Sequence, residues 1–468
     1  MSAPGSVVLD YTLHDLYNAD DQDYDICMVN AYAPPPSIPL AAHIPAIKQF
    51  PVQAPLCPAY DQDELTRTIL HLVAQRFAFC AGPMRILVLE SESQKSQCSS
   101  HGRSQADISK VFSQLQEKQR PLPLFVPISD LSKFRLDAKT KLAVTGPLDW
   151  FSHIPQVIDP RIHYNLLSKR GLAKSGLPTP RTIVIDTVLS PSPTEPFTDK
   201  DLQPEIARMT KPILETPIPF IVKVPRITGV GQGTFIVHTE ADRSSVYEVF
   251  LEEVKLMLLA LNPANECLAT CNVIIQEMVP GETASLNFFV TQTGRAIFNC
   301  CNHQDVDDAY IWSGGLVSYN EQAVLESQYR ETMDAVAHFL HKHGYYGPAG
   351  VDIMTDETGV QFVVDLNVRI TATYHLGPLR GHFTRRGFSE AAAMSTFRLT
   401  CTQAEFESHF AEELCSGSLV LTAWVHLQEA SLVTMTVAAR DRTGLQEIVQ
   451  KVSEFADNFA STDHSYTS

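Results

Sequence analysis

The chain has 468 residues, enough for two or three domains that each bury a substantial core. Hydrophobic residues make up 44% and charged residues 19%, the composition of an ordinary soluble globular protein. The formal net charge of −17 argues against nucleic-acid binding, which would need a basic surface. We therefore expect no nucleic-acid partner.

The first part of the chain alternates predicted helices with predicted strands. The proline-rich segment 33–55 precludes a regular helix or central strand and predicts an extended surface segment. The polar segment 91–104 is predicted as a loop. This alternation predicts a small α/β domain with a parallel sheet. Its predicted helices cover 65–79 and 108–118, and its predicted strands cover 84–90, 122–128 and 142–146.

The pattern changes in the middle of the chain. Residues 164–185 predict a helix stopped at Gly176, a Pro-x-Pro turn and a strand. Residues 187–204 are predicted as a loop, and residues 219–239 as two strands joined by a glycine-rich loop. A helix is predicted over 246–261.

The last part predicts mostly strands. Two or three strands fall within 272–303, an amphipathic helix covers 327–343, and a hairpin covers 347–370. Two further strands and a helix close the pattern, which predicts a small strand–strand–helix appendage. Their ranges are 418–427, 432–438 and 443–456.

Cysteine usage and hydropathy bear on location. None of the ten cysteines forms a Cys-x-x-Cys pair, which favours reduced structural thiols in a cytoplasmic protein. The N-terminus lacks the basic segment and apolar core of a signal peptide. No apolar run reaches the ~18 residues that span a bilayer. We therefore expect a cytoplasmic protein with no membrane partner.

Polar side chains alternate along the second strand of the predicted hairpin. Asp365, Asn367 and Arg369 share a face if the strand is regular. Asp352 lies on the paired strand and can reach the same face. Two carboxylates and an amide oxygen form a hard site of the kind that binds Mg²⁺ or Mn²⁺. The alternative is a solvent-facing edge strand, but the flanking apolar residues are typical of a buried one.

Two other segments suit nucleotide binding, although each is also common in ordinary hairpins. The loop 228–234 carries glycines that let backbone N–H groups approach phosphates, and Lys223 precedes it. It is neither a Walker loop nor a Rossmann fingerprint, and the later kinase motifs are missing. In segment 274–282, a strand ends in a turn that Glu282 follows.

The order of these motifs resembles that of the ATP-grasp superfamily over roughly residues 160–400. The resemblance implies an ATP and Mg²⁺ (or Mn²⁺) site, with Arg369 and Lys223 in catalytic roles and Arg369 holding the acyl phosphate or substrate carboxylate. The implied metal ligands are Asp352, Asp365 and Asn367. The implied nucleotide-binding residues are Lys223, Gly229, Gly231, Gly233, Gln276, Glu277, Met278, Val279 and Glu282, the last on the ribose.

The chain departs from the family at two positions. The usual early nucleotide-binding lysine falls at Asn165, where Lys169 and Lys174 are the available substitutes. The last acidic metal ligand is Asp365, where the family more often has glutamate.

The resemblance also implies a domain organisation of the α/β (α+β) class. An N-terminal pre-ATP-grasp α/β domain would cover 1–160, and a first ATP-grasp subdomain with the glycine-rich loop 161–240. The second subdomain, with the metal site, would cover 241–400, and a small C-terminal α+β module 401–468. Family members are often dimers, so a homodimer is possible.

The implied reaction is the activation of a carboxylate as an acyl phosphate, with ADP released, and transfer of the acyl group to an amine. By family analogy, amino acids or small peptides are the expected substrates. The alternatives are a carboxylate–thiol ligase, a carboxylate kinase and a non-catalytic nucleotide-binding protein of the same fold. Substrate-binding candidates near the metal strand are His303, Trp312, Ser313, Thr371, His375 and Arg380.

Overall fold

The computed structural model describes residues 6–20, 23–30, 49–51, 71–90, 98–225, 233–306, 312–427 and 429–459. Its strands form a four-stranded parallel sheet, a four-stranded antiparallel sheet and a nine-stranded antiparallel sheet. The predicted mixed α/β class is confirmed.

The parallel sheet lies in the N-terminal part, in the order β3-β2-β1-β4. Residues 98–104 are helical, so the predicted loop is wrong there. The cause is the apolar stripe of Ile108, Val111 and Phe112, which anchors a helix that extends backwards through the polar segment. The strands are β1 (Asp25–Val29), β2 (Arg85–Glu90), β3 (Leu122–Pro127) and β4 (Thr140–Val144). The helices are α1 (Leu13–Tyr17), α2 (Val73–Ala81) and α3 (Cys98–Ser113).

The smaller antiparallel sheet has the order β5-β8-β6-β7. Two short helices, α4 (Pro160–Leu167) and α5 (Lys169–Ala173), precede it, and two long ones, α6 (Asp199–Glu215) and α7 (Glu240–Ala260), share its hydrophobic core. The strands are β5 (Thr182–Asp186), β6 (Phe220–Lys223), β7 (Thr234–Val237) and β8 (Asn272–Glu277).

The predicted loop 187–204 is wrong from residue 199 onwards, where helix α6 begins. Thr198 and Asp201 form a capping box at its start, and Pro204 lies inside it. The proline removes one backbone hydrogen bond, but the buried side chains of Leu202 and Ile206 hold this turn against the sheet.

The nine-stranded sheet has the order β13-β12-β9-β10-β11-β14-β17-β15, with β16 also paired to β17. The predicted hairpin at 347–370 is present, and the predicted helix 327–343 is two helices separated at Tyr329. The strands are β9 (Glu282–Val290), β10 (Ala296–Val306), β11 (Trp312–Ser318), β12 (Gly347–Thr355), β13 (Gln361–Asn367), β14 (Glu390–Met394), β15 (Phe397–Leu399), β16 (Leu419–His426) and β17 (Ser431–Ala439). The helices are α8 (Gln322–Gln328), α9 (Arg330–Lys342), α10 (Arg380–Thr384), α11 (Gln403–His409), α12 (Ala411–Ser416) and α13 (Arg442–Asn458).

The largest hydrophobic cluster joins both ends of the chain, from Val7 to Phe455. Helices α2 and α3 pack against strand β16. The buried side chain of Gln75 donates to the carbonyl of Trp424 at 2.9 Å and accepts from its backbone N–H at 2.8 Å. The strands predicted as an appendage therefore continue the nine-stranded sheet and share a core with the N-terminal helices. None of the helices in the described ranges is long and apolar enough to cross a bilayer.

Candidate functional site

The hairpin of β12 and β13 places two carboxylates side by side. Asp352 lies directly opposite Asp365, and Ser285 on β9 donates its hydroxyl to Asp352 Oδ1 at 2.8 Å. Next to this pair the register shifts, so that Ile353 faces Val363 and Val364 is an extra residue. Such a bulge bends the strand locally and re-aims its side chains.

Lys223, the last residue of β6, connects the smaller antiparallel sheet to this hairpin. Its Nζ donates to Gln276 Oε1 at 2.8 Å and to the carbonyl of Val364, the bulged residue, at 3.0 Å. Burial lowers the pKa of Lys223 to about 8, and the nearby ammonium of Lys169 adds to the effect. The Asp365 and Asp352 carboxylates oppose the shift. The lysine is thus a cation held in place by two fixed acceptors.

Lys169, the first residue of α5, forms an ion pair with Asp365 Oδ1. Both side chains are mostly buried, with 17% and 27% of their surface exposed. Burial by itself raises the pKa of Asp365, but Lys169, Lys223 and the N–H of Leu366 together hold it below its usual range. Of the two possible substitutes for the lysine missing at position 165, the structure thus brings Lys169 to the carboxylates.

Lys174, the other possible substitute, lies away from the hairpin. Its Nζ is 3.1 Å from Asp186 Oδ2, on the last residue of β5, and Arg170 pairs with the same carboxylate. Lys174 keeps 48% of its side chain exposed. It is a half-exposed member of a separate ion-pair group.

Asn367 and Arg369 follow Asp365 along the chain. Strand β13 ends at Asn367, and the backbone N–H of Arg369 donates to the carbonyl of Asn367 at 2.8 Å, so the chain turns tightly at Val368. Strand alternation therefore does not extend to Arg369. Instead, Arg369 Nη2 donates to Asn367 Oδ1 at 3.0 Å, which keeps the guanidinium beside one of the oxygens expected to bind the metal.

The expected nucleotide-binding segments are only partly described. Gly229 and Gly231 lie outside the described residues, and Gly233 follows them with a φ of 81°. Gln276 is buried and donates to Thr182 Oγ1 at 3.0 Å, which fixes its amide oxygen toward Lys223. The other hinge positions are more accessible. Glu277 and Glu282 are exposed, while Met278 and Val279 are half-buried between β8 and β9.

The structure separates the substrate candidates. His303 is exposed on β10, while Thr371 is buried and donates to Asn287 Oδ1 at 2.5 Å. His375 lies in the core against Thr436, and burial, helped by Arg76, lowers its pKa to about 3. Arg380 is exposed at the start of α10, and Trp312 and Ser313 lie on β11 with side chains outside the described part.

Three polar residues near the site, Ser285, Asn287 and Asn302, were not singled out from the sequence. Ser285 contacts Asp352, and Asn287 contacts Asn302 and the turn at Thr371. The available signal was Ser285 and Asn287, two residues apart within the mostly apolar run 284–290, which places both on one face of β9.

The donor set fits a magnesium–nucleotide complex better than a metal held by protein alone. Among the described residues no group of three or more His, Cys, Asp or Glu forms a metal cluster. Mg²⁺ usually takes one or two carboxylates and completes its shell with water and nucleotide phosphates. Asp352, Asp365 and the Asn367 amide oxygen are donors of that kind, and the cationic side chains of Lys223, Lys169 and Arg369 could face phosphates there.

Comparison with known proteins gives a family match over the middle of the chain. A family model described as an ATP-grasp domain matches residues 213–373, which span the Lys223 strand, the hinge and the carboxylate hairpin. No curated protein matches the sequence.

Several solved structures are distantly similar to this chain. The ADP complex of N5-carboxyaminoimidazole ribonucleotide synthetase has 10% identity and a TM-score of 0.49, covering 97% of this chain and 100% of that one. The enzyme of the same name from Thermus thermophilus has 12% identity and a TM-score of 0.45, covering 81% and 92%. The biotin carboxylase domain of Hydrogenobacter thermophilus 2-oxoglutarate carboxylase has 10% and 0.41, covering 67% and 68%.

Proposed function

We propose, from the match of residues 213–373 to an ATP-grasp domain model and from the geometry of the site, that this protein is an ATP-dependent carboxylate–amine ligase. It would activate a carboxylate as an acyl phosphate, release ADP and transfer the acyl group to an amine. The observation that supports this most directly is the convergence of opposite charges on one hairpin. Asp352 and Asp365 face each other, with Lys169, Lys223 and Arg369 around them.

Each side chain has a role that its contacts suggest. Asp352, Asp365 and Asn367 would hold Mg²⁺, which supplies charge neutralisation for the nucleotide phosphates. Lys223, already oriented by Gln276 and the Val364 carbonyl, would donate to a phosphate oxygen. Such preorganised cations stabilise developing charge without having to reorient during the reaction.

Lys169 is proposed as the replacement for the lysine missing at position 165. Its ammonium already lies at Asp365 and lowers the pKa of Lys223, so the two lysines are close enough to act on one polyphosphate. Arg369 would align the carboxylate with the phosphate, since its guanidinium lies beside Asn367. Positioning of this kind is the main contribution that enzymes make to phosphoryl transfer.

The test is component-dependent turnover. The protein is incubated with ATP, Mg²⁺ and a pooled panel of carboxylic acids and amines, and ADP, AMP and phosphate are measured as components are withdrawn. We expect ADP and phosphate release that needs one acid and one amine. Asp365→Asn should abolish it, whereas Asp334→Asn, the same change on an exposed face of α9, should not.

The products separate the proposal from its alternatives. AMP release would mean adenylation and would refute acyl-phosphate chemistry. ADP release with a thiol in place of the amine, or with the acid alone, would indicate a thiol ligase or a carboxylate kinase. Tight ATP binding without turnover on any pair would favour a non-catalytic nucleotide-binding protein.

A further inference from the structure

Ser285 on β9 holds one oxygen of Asp352, one of the two carboxylates proposed to bind the metal. The two residues lie directly opposite each other on neighbouring strands, and the Ser285 hydroxyl donates to Asp352 Oδ1 at 2.8 Å. Ser285 is only 6% exposed, so bulk water has little access to this bond. A hydrogen bond to an ionised carboxylate is stronger than one between neutral groups. The protein itself therefore engages Oδ1 of Asp352.

The second carboxylate of the hairpin is held in a similar way. Asp365 Oδ1 accepts from the Lys169 ammonium and, at 2.8 Å, from the backbone N–H of Leu366. Both donors act on the same oxygen of Asp365. Asp352 and Asp365 face each other across the hairpin, so each member of the pair offers a cation a carboxylate with one oxygen already engaged.

A carboxylate can bind a cation through one oxygen or through both, and cations differ in which mode they accept. Ca²⁺ takes roughly six to eight oxygen ligands in flexible geometry and often accepts both oxygens of one carboxylate. Mg²⁺ demands near-ideal octahedral geometry, which the two closely spaced oxygens of one carboxylate fit poorly. Binding through both oxygens of Asp352 needs Oδ1, which already accepts the Ser285 hydroxyl. The engaged oxygen therefore disfavours Ca²⁺ more than Mg²⁺.

We infer that Ser285 is a positioning residue that sets the metal preference of the site, because its bond to Asp352 favours Mg²⁺ and Mn²⁺ over Ca²⁺. This inference deepens the proposed function and rests on the metal role proposed there for Asp352. Groups outside the ligand set commonly orient metal ligands and tune what they bind. Discrimination between two cations is a difference of two affinities, and here it arises by weakening the unwanted one.

Removing the hydroxyl should change the relative affinity for the two cations. In Ser285→Ala, Asp352 Oδ1 loses this donor and can join Oδ2 in binding a cation. Loss of an outer partner of a metal ligand typically changes metal affinity by about 10–100-fold. We expect the ratio of Ca²⁺ affinity to Mg²⁺ affinity to rise by about tenfold, with most of the change in the Ca²⁺ affinity.

The test is cation competition on the full-length protein without nucleotide. Bound Mn²⁺ is followed by electron paramagnetic resonance and displaced by Ca²⁺ or by Mg²⁺, and the two displacement constants give the affinity ratio. Ser285→Thr keeps the hydroxyl and should keep the wild-type ratio. Ser285→Cys is a weaker donor of similar shape and should raise the ratio by a smaller factor than Ser285→Ala. An unchanged ratio in the folded alanine and cysteine variants would overturn the inference.

Ser318 provides a matched control within the same sheet. It lies on β11 directly opposite Glu390 on β14, and its hydroxyl donates to Glu390 Oε1 at 2.7 Å. Ser318→Ala thus removes the same kind of bond, from a serine to a carboxylate on the neighbouring strand. Strands β9 and β10 separate β11 from the carboxylate hairpin, so the affinity ratio should not change. Equal shifts in Ser318→Ala and Ser285→Ala would assign the effect to a general loosening of the sheet and refute the role of Ser285.

Infrared spectroscopy gives a second readout, which loss of packing alone does not reproduce. The two carboxylate stretching bands lie closer together when both oxygens bind a cation than when only one does. Difference spectra between Ca²⁺-loaded and metal-free Ser285→Ala should contain such a closely spaced pair, and adding Asp352→Asn should remove it. The same closely spaced pair in the wild-type spectrum would contradict the inference.

Failure of this inference is distinguishable from failure of the proposed function, because the cation measurements omit ATP, acid and amine. If the protein is a ligase but Ser285 does not set the metal preference, ADP release will still depend on Asp365, and the affinity ratio will not respond to Ser285→Ala. If the protein is not a ligase, no acid in any panel will stimulate ADP release, whereas the affinity ratio will still shift.

Discussion

Removing the Lys169 ammonium is the sharpest test of the site, because two binding reactions should respond in opposite directions. Lys169→Met keeps the side-chain length and removes the charge that pairs with Asp365. A divalent cation and the ammonium compete for the same carboxylate, whereas nucleotide phosphates are attracted to the ammonium. We therefore expect the variant to bind metal more tightly and nucleotide more weakly.

The magnitude follows from the burial of the pair. With 17% and 27% of the two side chains exposed, solvent screens this pair less than a surface ion pair. Hydrogen bonds to charged groups contribute about 1.5–3 kcal/mol, and about 1.4 kcal/mol is a tenfold change in affinity. The metal affinity should rise, and the nucleotide affinity should fall, by roughly tenfold or more.

Mn²⁺ binding without nucleotide can be measured by electron paramagnetic resonance, and ATP-analogue binding by calorimetry. Lys174→Met is the matched control, because Lys174 also pairs with an aspartate but lies away from the hairpin. Thermal unfolding verifies that both variants are folded. An Mn²⁺ affinity equal to or weaker than that of the wild type would refute the competition between Lys169 and the metal.

Three further predictions concern other parts of the molecule. ATP affinity should fall as the pH rises through about 8, because Lys223 then loses the proton that attracts phosphate, and titration calorimetry would show proton uptake on binding near that pH. Gln75→Ala should lower the free energy of unfolding by about 2–4 kcal/mol, since it leaves the buried backbone of Trp424 without partners. Asn287→Ala should cost a similar ~2–4 kcal/mol and also weaken turnover, because it releases the turn at Thr371 beyond Arg369.

Each of these predictions has its own control. Lys223→Met should bind ATP weakly and without the pH dependence, so a wild-type pH profile in that variant would assign the titration to another group. Gln446→Ala removes an exposed glutamine on α13 and should leave the free energy of unfolding nearly unchanged. If Asn287→Ala unfolds at wild-type denaturant concentrations, the polar contacts around Asn287 do not stabilise the turn.

The lowered pKa of Lys223 also makes the free energy of unfolding depend on pH. The folded-state pKa of Lys223 lies below its ordinary value of 10.5, so the unfolded chain binds the proton more tightly between about pH 8 and pH 10.5. The folding penalty from this lysine is complete below pH 8 and is relieved as the pH rises across that interval.

Local patterns in the sequence predicted most of the strands. The apolar runs that became β2, β6, β8 and β16 are short, strongly hydrophobic and bounded by turn residues, which is the clearest signal available. The start of helix α6 was missed because the proline-rich segment 187–204 suggested a loop, whereas the burial of the helix against the sheet decides the outcome. Tertiary packing, which a local pattern does not contain, outweighed the local preference.

The site was predictable in its residue types and not in its geometry. The alternation of Asp365 and Asn367 correctly places them on one face of β13, because the strand is regular from Asp365 to Asn367, after the bulge at Val364. Arg369 reaches the same place through a turn at Val368, which no strand rule predicts. The pairing of Lys169 with Asp365 joins residues 196 positions apart and depends on how α5 packs beside the hairpin.

The bond between Gln75 and Trp424 has a consequence for biosynthesis. The two residues are 349 positions apart, and a ribosome adding about 5–20 residues per second needs on the order of 20–70 s to progress from one to the other. During that interval the apolar faces of α2 and α3 are present in the nascent chain, but strand β16, which packs against them, has not yet been synthesised. The nascent chain should therefore depend on chaperones until β16 emerges, and a ribosome stalled before residue 419 should hold a product that aggregates on release.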